Sequence, residues 1–247
     1  MGAAEGARIS AGVSPLVASM DAAADAFGRA KGGLGDRPIT LAMIFFTGHH
    51  TERLSEILIP ILAEVGAGTL LGSSTETVVG EGKELEGKPG LSIWLAHLPE
   101  TQVEAFSINV QATPDGTALV GFPLMAGTAT LALLLADGFT FPTQALLQSL
   151  NGDHPNLPVI GGQASGGQRP GDHALIVNDK VMFDGAVGAL LSGGTIGSAI
   201  SQGCRPIGDP YVITACEGNI IQELGGKPAL DRLRELIGIC SFAQQRS

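Results

Sequence analysis

Charged and aromatic side chains are scarce in this chain of 247 residues. Only 15% of the residues are charged and 4% are aromatic, whereas charged residues usually make up about 25% of a soluble protein. The 14 Lys and Arg are outnumbered by 24 Asp and Glu, so the net charge is −10, and no basic cluster offsets it locally. Such a field repels polyanions. The composition therefore argues against nucleic acid as a partner, and the few rings argue against a stacking platform for bases.

Cysteines and long apolar runs are also few. The three cysteines are odd in number and lack CxxC spacing, so we expect no disulfide framework, no metal site and a reducing compartment. The longest apolar run, residues 124–136, is much shorter than the ~20 residues of a membrane-spanning helix. The first ten residues, MGAAEGARIS, lack the pattern of a secretory signal. The sequence thus predicts a soluble, cytoplasmic protein without a membrane partner.

Glycine, by contrast, is abundant. The chain contains 36 glycines, which is roughly twice the usual share of ~7%, and they follow no collagen-like period. Because 44% of the residues are hydrophobic, the chain has ample material for a core. Dense glycine in such a chain predicts many tight turns and close backbone contacts.

Two stretches of the sequence share one pattern at a fixed spacing. Residues 40–48 (TLAMIFFTG) and 130–138 (TLALLLADG) agree at four of nine positions, with an offset of 90. Each stretch predicts a strand buried on both faces, followed by a helix, a strand, a Gly-rich loop and a further strand. We interpret this as an internal duplication, which would place two equivalent Gly-rich loops near each other across a pseudo-twofold axis. The alternative is two α/β units that share composition by chance.

The pattern predicts an α/β fold with a mixed β-sheet core and flanking helices, built from two similar β-α-β-β units. A C-terminal hairpin and helix follow these units. The first helix is predicted to start with Ser14 as N-cap and Pro15 at its first position, which leaves residues 1–13 as a flexible N-terminus. A second helix is predicted over residues 52–64, where Pro60 should kink or shorten it.

The end of the chain carries its own pattern. Residues 211–215 and 220–224 flank a turn signal and predict a hairpin, and Pro228 starts a helix with one apolar face. A hairpin and a single helix leave apolar surface uncovered. We therefore expect this part to dock on the rest of the chain or on a partner, and residues 239–247 to form a flexible tail.

Glycines and small hydroxyl residues mark two candidate binding loops. The first contains Gly72, Ser73 and Ser74, and the second contains Gly161 and Gly162. Exposed backbone amides and hydroxyls in such loops could hold a carboxylate or a phosphate. Tight turns with capping hydroxyls are the alternative interpretation. Neither loop has a Walker A lysine or a complete Rossmann fingerprint, and no nucleophile elbow is present, so we expect no cofactor.

Arg205 is the candidate partner for an anionic group. It lies among glycines in a chain with few cations, and a guanidinium can bind a carboxylate through two hydrogen bonds. A structural ion pair is the alternative. The adjacent Cys204 is a candidate nucleophile without an evident base, and a buried structural cysteine is the simpler interpretation. His49 and His50 adjoin Glu52, but adjacent histidines point apart, which disfavours a metal site.

Several motifs resemble the FIST family (F-box and intracellular signal transduction proteins). They lie at residues 72–99, 157–167, 175–192 and 201–230, and the most specific is GCRPIG followed by a hairpin and GKPAL. The resemblance implies a FIST N-terminal region over residues 14–200 and the start of a FIST C-terminal region over 201–238. Because that second region normally continues further, the resemblance implies a truncated form.

The resemblance also implies a cytoplasmic sensory module that binds a small ligand, such as an amino acid, and signals to an output domain. We therefore expect a non-enzymatic small-ligand-binding protein that signals as a homodimer or through a separate output protein. One alternative is a protein-interaction scaffold or adaptor that uses the C-terminal hairpin, and another is a hydrolase-like enzyme with Cys204 as nucleophile. The residues expected to hold the anionic group of the ligand are Gly72, Ser73, Ser74, Gly161, Gly162 and Arg205.

Overall fold

A computed structural model describes residues 6–114, 116–123, 129–199, 206, 208–218 and 220–239. The chain divides into two compact units, residues 1–198 and residues 199–247. No helix among the described residues is both long enough and apolar enough to cross a membrane.

The larger unit is built mainly from strands. Its helices are α1 (Ser19–Leu34), a short 3-10 helix (Gly48–Arg53), α2 (Leu54–Val65) and α3 (Thr143–Asp153). Its strands are β1 (Arg8–Ser14), β2 (Leu41–Phe46), β3 (Thr69–Ser74), β4 (Val78–Gly80), β5 (Lys83–Leu85), β6 (Leu91–His97), β7 (Gln102–Thr113), β8 (Gly116–Val120), β9 (Leu131–Ala136), β10 (Val159–Gln163), β11 (Leu175–Val177), β12 (Lys180–Met182) and β13 (Ala186–Ser192).

Two mixed sheets stack face to face, and helices cover the outer face of each. The first sheet has the order β1-β6-β2-β3-β11-β12, and the second has the order β10-β9-β13-β7-β8. Ile57 of α2 packs with Ile44 in the core between the first sheet and its helices. Leu146 of α3 belongs to the corresponding core on the second sheet. A third core, which includes Leu71 and Leu135, lies between the sheets. The architecture therefore has four layers, helix–sheet–sheet–helix.

The strands β2 and β9 are apolar throughout because each is buried on both faces. Successive side chains of a strand point to opposite faces. In β2, Ile44 belongs to the core beneath the helices, whereas Met43 and Phe45 pack against the core between the sheets. In β9, Leu134 faces the helix and Leu135 faces the other sheet. The sequence prediction of strands buried on both faces is confirmed.

The internal duplication is confirmed by the pairing registers. Strands β2 and β9 begin 90 residues apart, as do β3 and β10. Leu41 lies opposite Ala96 in the antiparallel pair of β2 and β6, and Leu131 lies opposite Leu191 in the equivalent pair of β9 and β13. Each repeat also contains one parallel pair, β2 with β3 and β9 with β10. The strand order β1-β6-β2-β3 is thus repeated as β7-β13-β9-β10.

The start of the chain differs from the prediction. Residues 8–13 were expected to be flexible, but they belong to β1, which pairs with β6 along its whole length. Ser14 is the last residue of this strand, opposite Leu91, and α1 begins at Ser19 instead. Sheet pairing and the burial of Val13 outweigh the local capping signal.

The helix that contains Pro60 is not shortened by the proline, contrary to the expectation. It forms α2, which continues past Pro60 to Val65. Proline removes one backbone hydrogen bond, but Ile57 and Ile61 are buried on the same face of the helix. This burial keeps the helix continuous.

The smaller unit contains the C-terminal hairpin and helix that the sequence predicted. Arg232 stacks on the ring of Tyr211, with 4.7 Å between the guanidinium carbon and the ring centre. Several apolar side chains of this unit are exposed, among them Val212 and Ile220. Its elements are β14 (Ile213–Glu217), β15 (Ile220–Leu224), β16 (Lys227–Pro228) and α4 (Ala229–Ile239).

Candidate functional site

The loops that follow β3 and β10 contact each other. The hydroxyl oxygens of Thr75 and Ser165 are 3.3 Å apart. The backbone N–H of Ser165 donates to the carbonyl of Ser74 (3.3 Å), and the N–H of Glu76 donates to the Ser165 hydroxyl (3.1 Å). The N–H of Thr75 donates to Phe46 and that of Ala164 donates to Ala136, so Ser165 lies one residue beyond the position equivalent to Thr75. The prediction that the duplication brings the two loops together is confirmed.

A cleft of about 510 Å³ opens between the two sheets beside these loops. One wall comes from the first sheet (β1, β6, β2 and the end of β3), and the other comes from β9 and β10. A cleft near the carboxyl ends of parallel strands is a common place for ligands in α/β proteins, and this volume lies in the range of small-molecule pockets. The lining residues are Ala11, Met43, Phe45, Ser73, Ser74, Thr75, Val79, Ser92, Trp94, Leu133, Leu134, Leu135, Ile160, Gly161, Gly162 and Gln163.

Four of the six residues that the sequence singled out line this cleft. They are Ser73 and Ser74 at the end of β3, and Gly161 and Gly162 in β10. Their role in ligand binding stays a prediction. Arg205, the expected partner for an anionic group, lies outside the described residues, as does its neighbour Cys204.

Gly72 does not line the cleft. It is buried within β3, where an added Cβ would lie 2.7 Å from the carbonyl oxygen of Ile44 and 2.5 Å from its Cγ2. Gly161 has the equivalent neighbour, because an added Cβ there would overlap the carbonyl oxygen of Leu134. Both glycines are thus explained by close approach of the neighbouring strand. Gly161, unlike Gly72, also lines the cleft, so a role in ligand binding is still open for it.

Three hydroxyl groups of the cleft already donate to backbone carbonyls. Ser73 donates to the carbonyl of the next residue (3.0 Å), Ser92 donates to Val79 (3.0 Å), and Thr75 donates to Thr77 (2.9 Å). A hydroxyl has one hydrogen and two lone pairs. In this arrangement the three groups offer further partners their lone pairs, whereas the sequence suggested the Ser73 hydroxyl as a donor to a carboxylate.

The apolar wall of the cleft was missed by sequence reasoning. Met43, Phe45 and Trp94 form its part on the first sheet, and all three are only half-buried. The sequence predicts that their strands are buried on both faces. This is correct for most positions of the strands, but the pattern does not indicate a gap between the sheets. Trp94 is the only tryptophan in the chain. Its position makes it an intrinsic fluorescent reporter of the cleft.

A buried histidine–aspartate pair holds the second loop. The Nδ1 atom of His173 lies 2.6 Å from the Asp137 carboxylate, and its Nε2 accepts a hydrogen bond from the N–H of Gly167 (3.2 Å). Because Nε2 is an acceptor, Nδ1 carries the hydrogen that points to Asp137. The ring of Phe139 stacks on His173, with 5.1 Å between centres. The pair therefore links the end of β9 to the Gly-rich loop.

The Asp137 carboxylate is ionised more readily than an ordinary one. Burial acts to raise its pKa, but hydrogen bonds from the Thr140 side chain, from His173 and from the backbone outweigh burial, so the pKa lies below its usual value. The sequence gives no sign of this pair, because His173 and Asp137 are 36 positions apart. Only the fold brings the two together.

A second, more polar cavity of about 550 Å³ adjoins the loops and shares Thr75 with the cleft. Its lining carries charges of both signs, with Lys88 and Glu76 among them. The residues are Thr47, Gly48, His49, Thr75, Glu76, Gly87, Lys88 and Gly166.

The neighbouring His50 points away from solvent. It is fully buried, and its Nδ1 atom lies 2.9 Å from the Ser19 hydroxyl. Burial, assisted by the nearby His49, lowers the pKa of His50 and keeps it neutral. Within the described ranges, no three or more His, Cys, Asp or Glu side chains are grouped as a metal site would require.

One family model and several curated relatives match most of this chain. The model of the FIST N domain matches residues 40–227. An uncharacterized protein of Mycobacterium tuberculosis is 37% identical over 230 residues, which cover 93% of this chain and 60% of the relative. An uncharacterized protein of Mycobacterium bovis is 36% identical over 230 residues, which cover 93% of this chain and 59% of the relative. The chain thus spans about three fifths of the length of these curated relatives. The match includes residues 201–227, and the expected FIST C-terminal region stays a prediction.

Proposed function

Because the chain belongs to the FIST family, whose domains generally act as sensory domains in signal transduction, we propose that it binds a small ligand in the cleft between its two repeats. In this proposal the protein is a cytoplasmic sensor that releases its ligand unchanged. The signal passes to a separate output protein or to a second copy of the chain.

The observation that carries this proposal is the meeting of the two equivalent loops at one cleft. Ser74 from the first repeat and Ser165 from the second are joined by a hydrogen bond beside it. The cleft combines an apolar wall with a few polar groups, which is the usual composition of a small-molecule site. A duplicated fold that forms a single cleft at its junction can report occupancy to both halves.

The identity of the ligand is a finer part of the proposal. The resemblance implies an amino acid or another anionic metabolite, and a carboxylate buried there would require a cation or several donors. Arg205 is the cation that the sequence offers, and Lys88 in the adjoining cavity is another. Both assignments are proposals.

The test is a ligand screen read through Trp94. Purified protein is titrated with a panel of amino acids and central metabolites while tryptophan fluorescence, thermal unfolding and calorimetric heat are recorded. A ligand at 100 times its Kd should stabilise the fold by about 2.7 kcal/mol. The variant Gly162→Val, which adds a side chain where the cleft is open, should abolish the response. If no compound changes any of the three signals of the folded protein, the proposal is wrong.

A second candidate function is a protein-interaction scaffold. The smaller unit favours it, since the described side chains of Val212, Ile220 and Leu230 are each more than half exposed. Contiguous exposed apolar side chains mark interaction surfaces. Light scattering across a range of concentrations provides the check, because a strict monomer that binds small ligands would exclude self-association as the role of this surface.

A further inference from the structure

None of the described residues that line the cleft between the sheets has a charged side chain. All of its described lining residues are apolar, glycine, hydroxyl or amide residues. The apolar part is contributed by both sheets, with Phe45 and Trp94 on one side and Leu133 and Ile160 on the other. Ile160 is 40% exposed, so this wall is covered only in part by the protein itself. Such a surface gains most from an apolar ligand body.

The polar groups of the cleft offer mainly acceptor atoms. The hydroxyl hydrogens of Ser73, Thr75 and Ser92 are engaged with backbone carbonyls, so only their lone pairs remain for a ligand. Ser74 accepts from the N–H of Ala174. Ser73, Ser74 and Ser92 are each at most 4% exposed, so Thr75 is the hydroxyl that a ligand can reach most easily. A ligand that carries its own donor, such as a hydroxyl or an ammonium group, can donate a hydrogen bond to these acceptors.

The lining of the cleft is unfavourable for an anionic ligand. A carboxylate has acceptor atoms only, so it would face a lone pair of the Thr75 hydroxyl, whose hydrogen is directed to the carbonyl of Thr77. It would also lose hydration without gaining a cation from the described lining. The net charge of −10 adds a repulsive field around the whole molecule.

From these observations we infer that the cleft selects a mainly apolar molecule with a hydroxyl or ammonium donor at one end, rather than a carboxylate or phosphate. This inference rests on the proposed function, because it names the ligand class of the same cleft. It replaces the anionic ligand that the loop sequences suggested with one of the opposite hydrogen-bonding character.

The test compares three probes that share one apolar body and differ in their polar end: phenethyl alcohol, phenethylamine and hydrocinnamate. Each is titrated against the full chain, and Trp94 fluorescence and calorimetric heat report binding. We expect the alcohol and the amine to bind at least about tenfold more tightly than the carboxylate, since an unpaired buried charge costs more than a paired donor.

Matched variants locate the binding. Gly162→Val narrows the cleft, and Gly197→Val places the same side chain in an exposed loop where the added Cβ also has open space. The first should remove the response to all three probes, and the second should leave it unchanged. A response that persists in Gly162→Val would overturn the placement in the cleft.

Two other outcomes separate the inference from the proposed function. Hydrocinnamate that binds as tightly as the alcohol, or more tightly, would overturn the ligand class and leave the cleft as a binding site. In that case the backbone N–H groups of β10, an edge strand among the described strands, would be the donors. If neither these probes nor the metabolite panel change any signal, the proposed function itself fails.

Discussion

Replacing Gly72 with alanine should destabilise the larger unit, whereas the same change at Gly162 should not. An added Cβ at Gly72 would lie 2.7 Å from the carbonyl oxygen of Ile44 and 3.2 Å from the Cδ1 atom of Ile176. The carbonyl belongs to the neighbouring strand, so it cannot rotate away, and β3 has strands on both sides. Overpacking of this kind costs about 2–3 kcal/mol, which corresponds to a decrease in Tm of roughly 5–10 °C for a unit of this size.

Gly162 is the matched control because it also lies in a strand, but an added Cβ there has no atom within 4 Å. Alanine at this position should be neutral or stabilise by up to about 1 kcal/mol, since glycine loses more backbone entropy on folding. Urea unfolding is followed by far-UV circular dichroism and by Trp94 fluorescence, and coincident curves support two-state analysis. Gly72→Ala with an unchanged urea midpoint and slope would refute the close-approach argument.

The remaining predictions concern pH. Burial lowers the pKa of His50, so unfolding takes up a proton and stability should fall as pH drops below about 6.5. His50→Gln should flatten this part of the stability curve, and His49→Gln, which removes only the smaller of the two causes, should flatten it less. Equal slopes in all three proteins would contradict the assignment. The lowered pKa of Asp137 stabilises the fold above its usual value of 3.8, and this contribution is lost as pH falls through the folded value. In urea unfolding series, Asp137→Asn should cost about 1–3 kcal/mol at neutral pH and progressively less once the pH falls below about 3.8.

The repeats could be predicted from the sequence because their signal is local. A run such as residues 40–48 shows burial on both faces by itself, and its copy at 130–138 shows the offset directly. The strand β1 was missed because its stabilising contacts are not local. Its residues are stabilised by pairing with residues of β6 that are 77 to 89 positions away, and a capping signal at Ser14 was the stronger local feature.

The candidate site was predictable only in part. The duplication predicted that Ser73 and Gly162 lie near each other, although both lie in strands and not in loops. The hydrogen-bond directions were not predictable, because Ser92 and its acceptor Val79 belong to strands whose contact no pattern indicates. The position of Trp94 in the cleft was also not predictable. A strand pattern shows on which face of the sheet a side chain lies, but not where two stacked sheets leave a gap between them. The chemical character of the cleft therefore depends on contacts between distant residues.

The two repeats are not equivalent at the cleft, and this difference bears on how a ligand could be sensed. In the first repeat, β11 covers the outer edge of β3, and Ser73 is 4% exposed. In the second, β10 is an edge strand among the described strands, and Gly162 is exposed. A ligand in the cleft would thus contact a fixed central strand on one side and a less supported strand on the other.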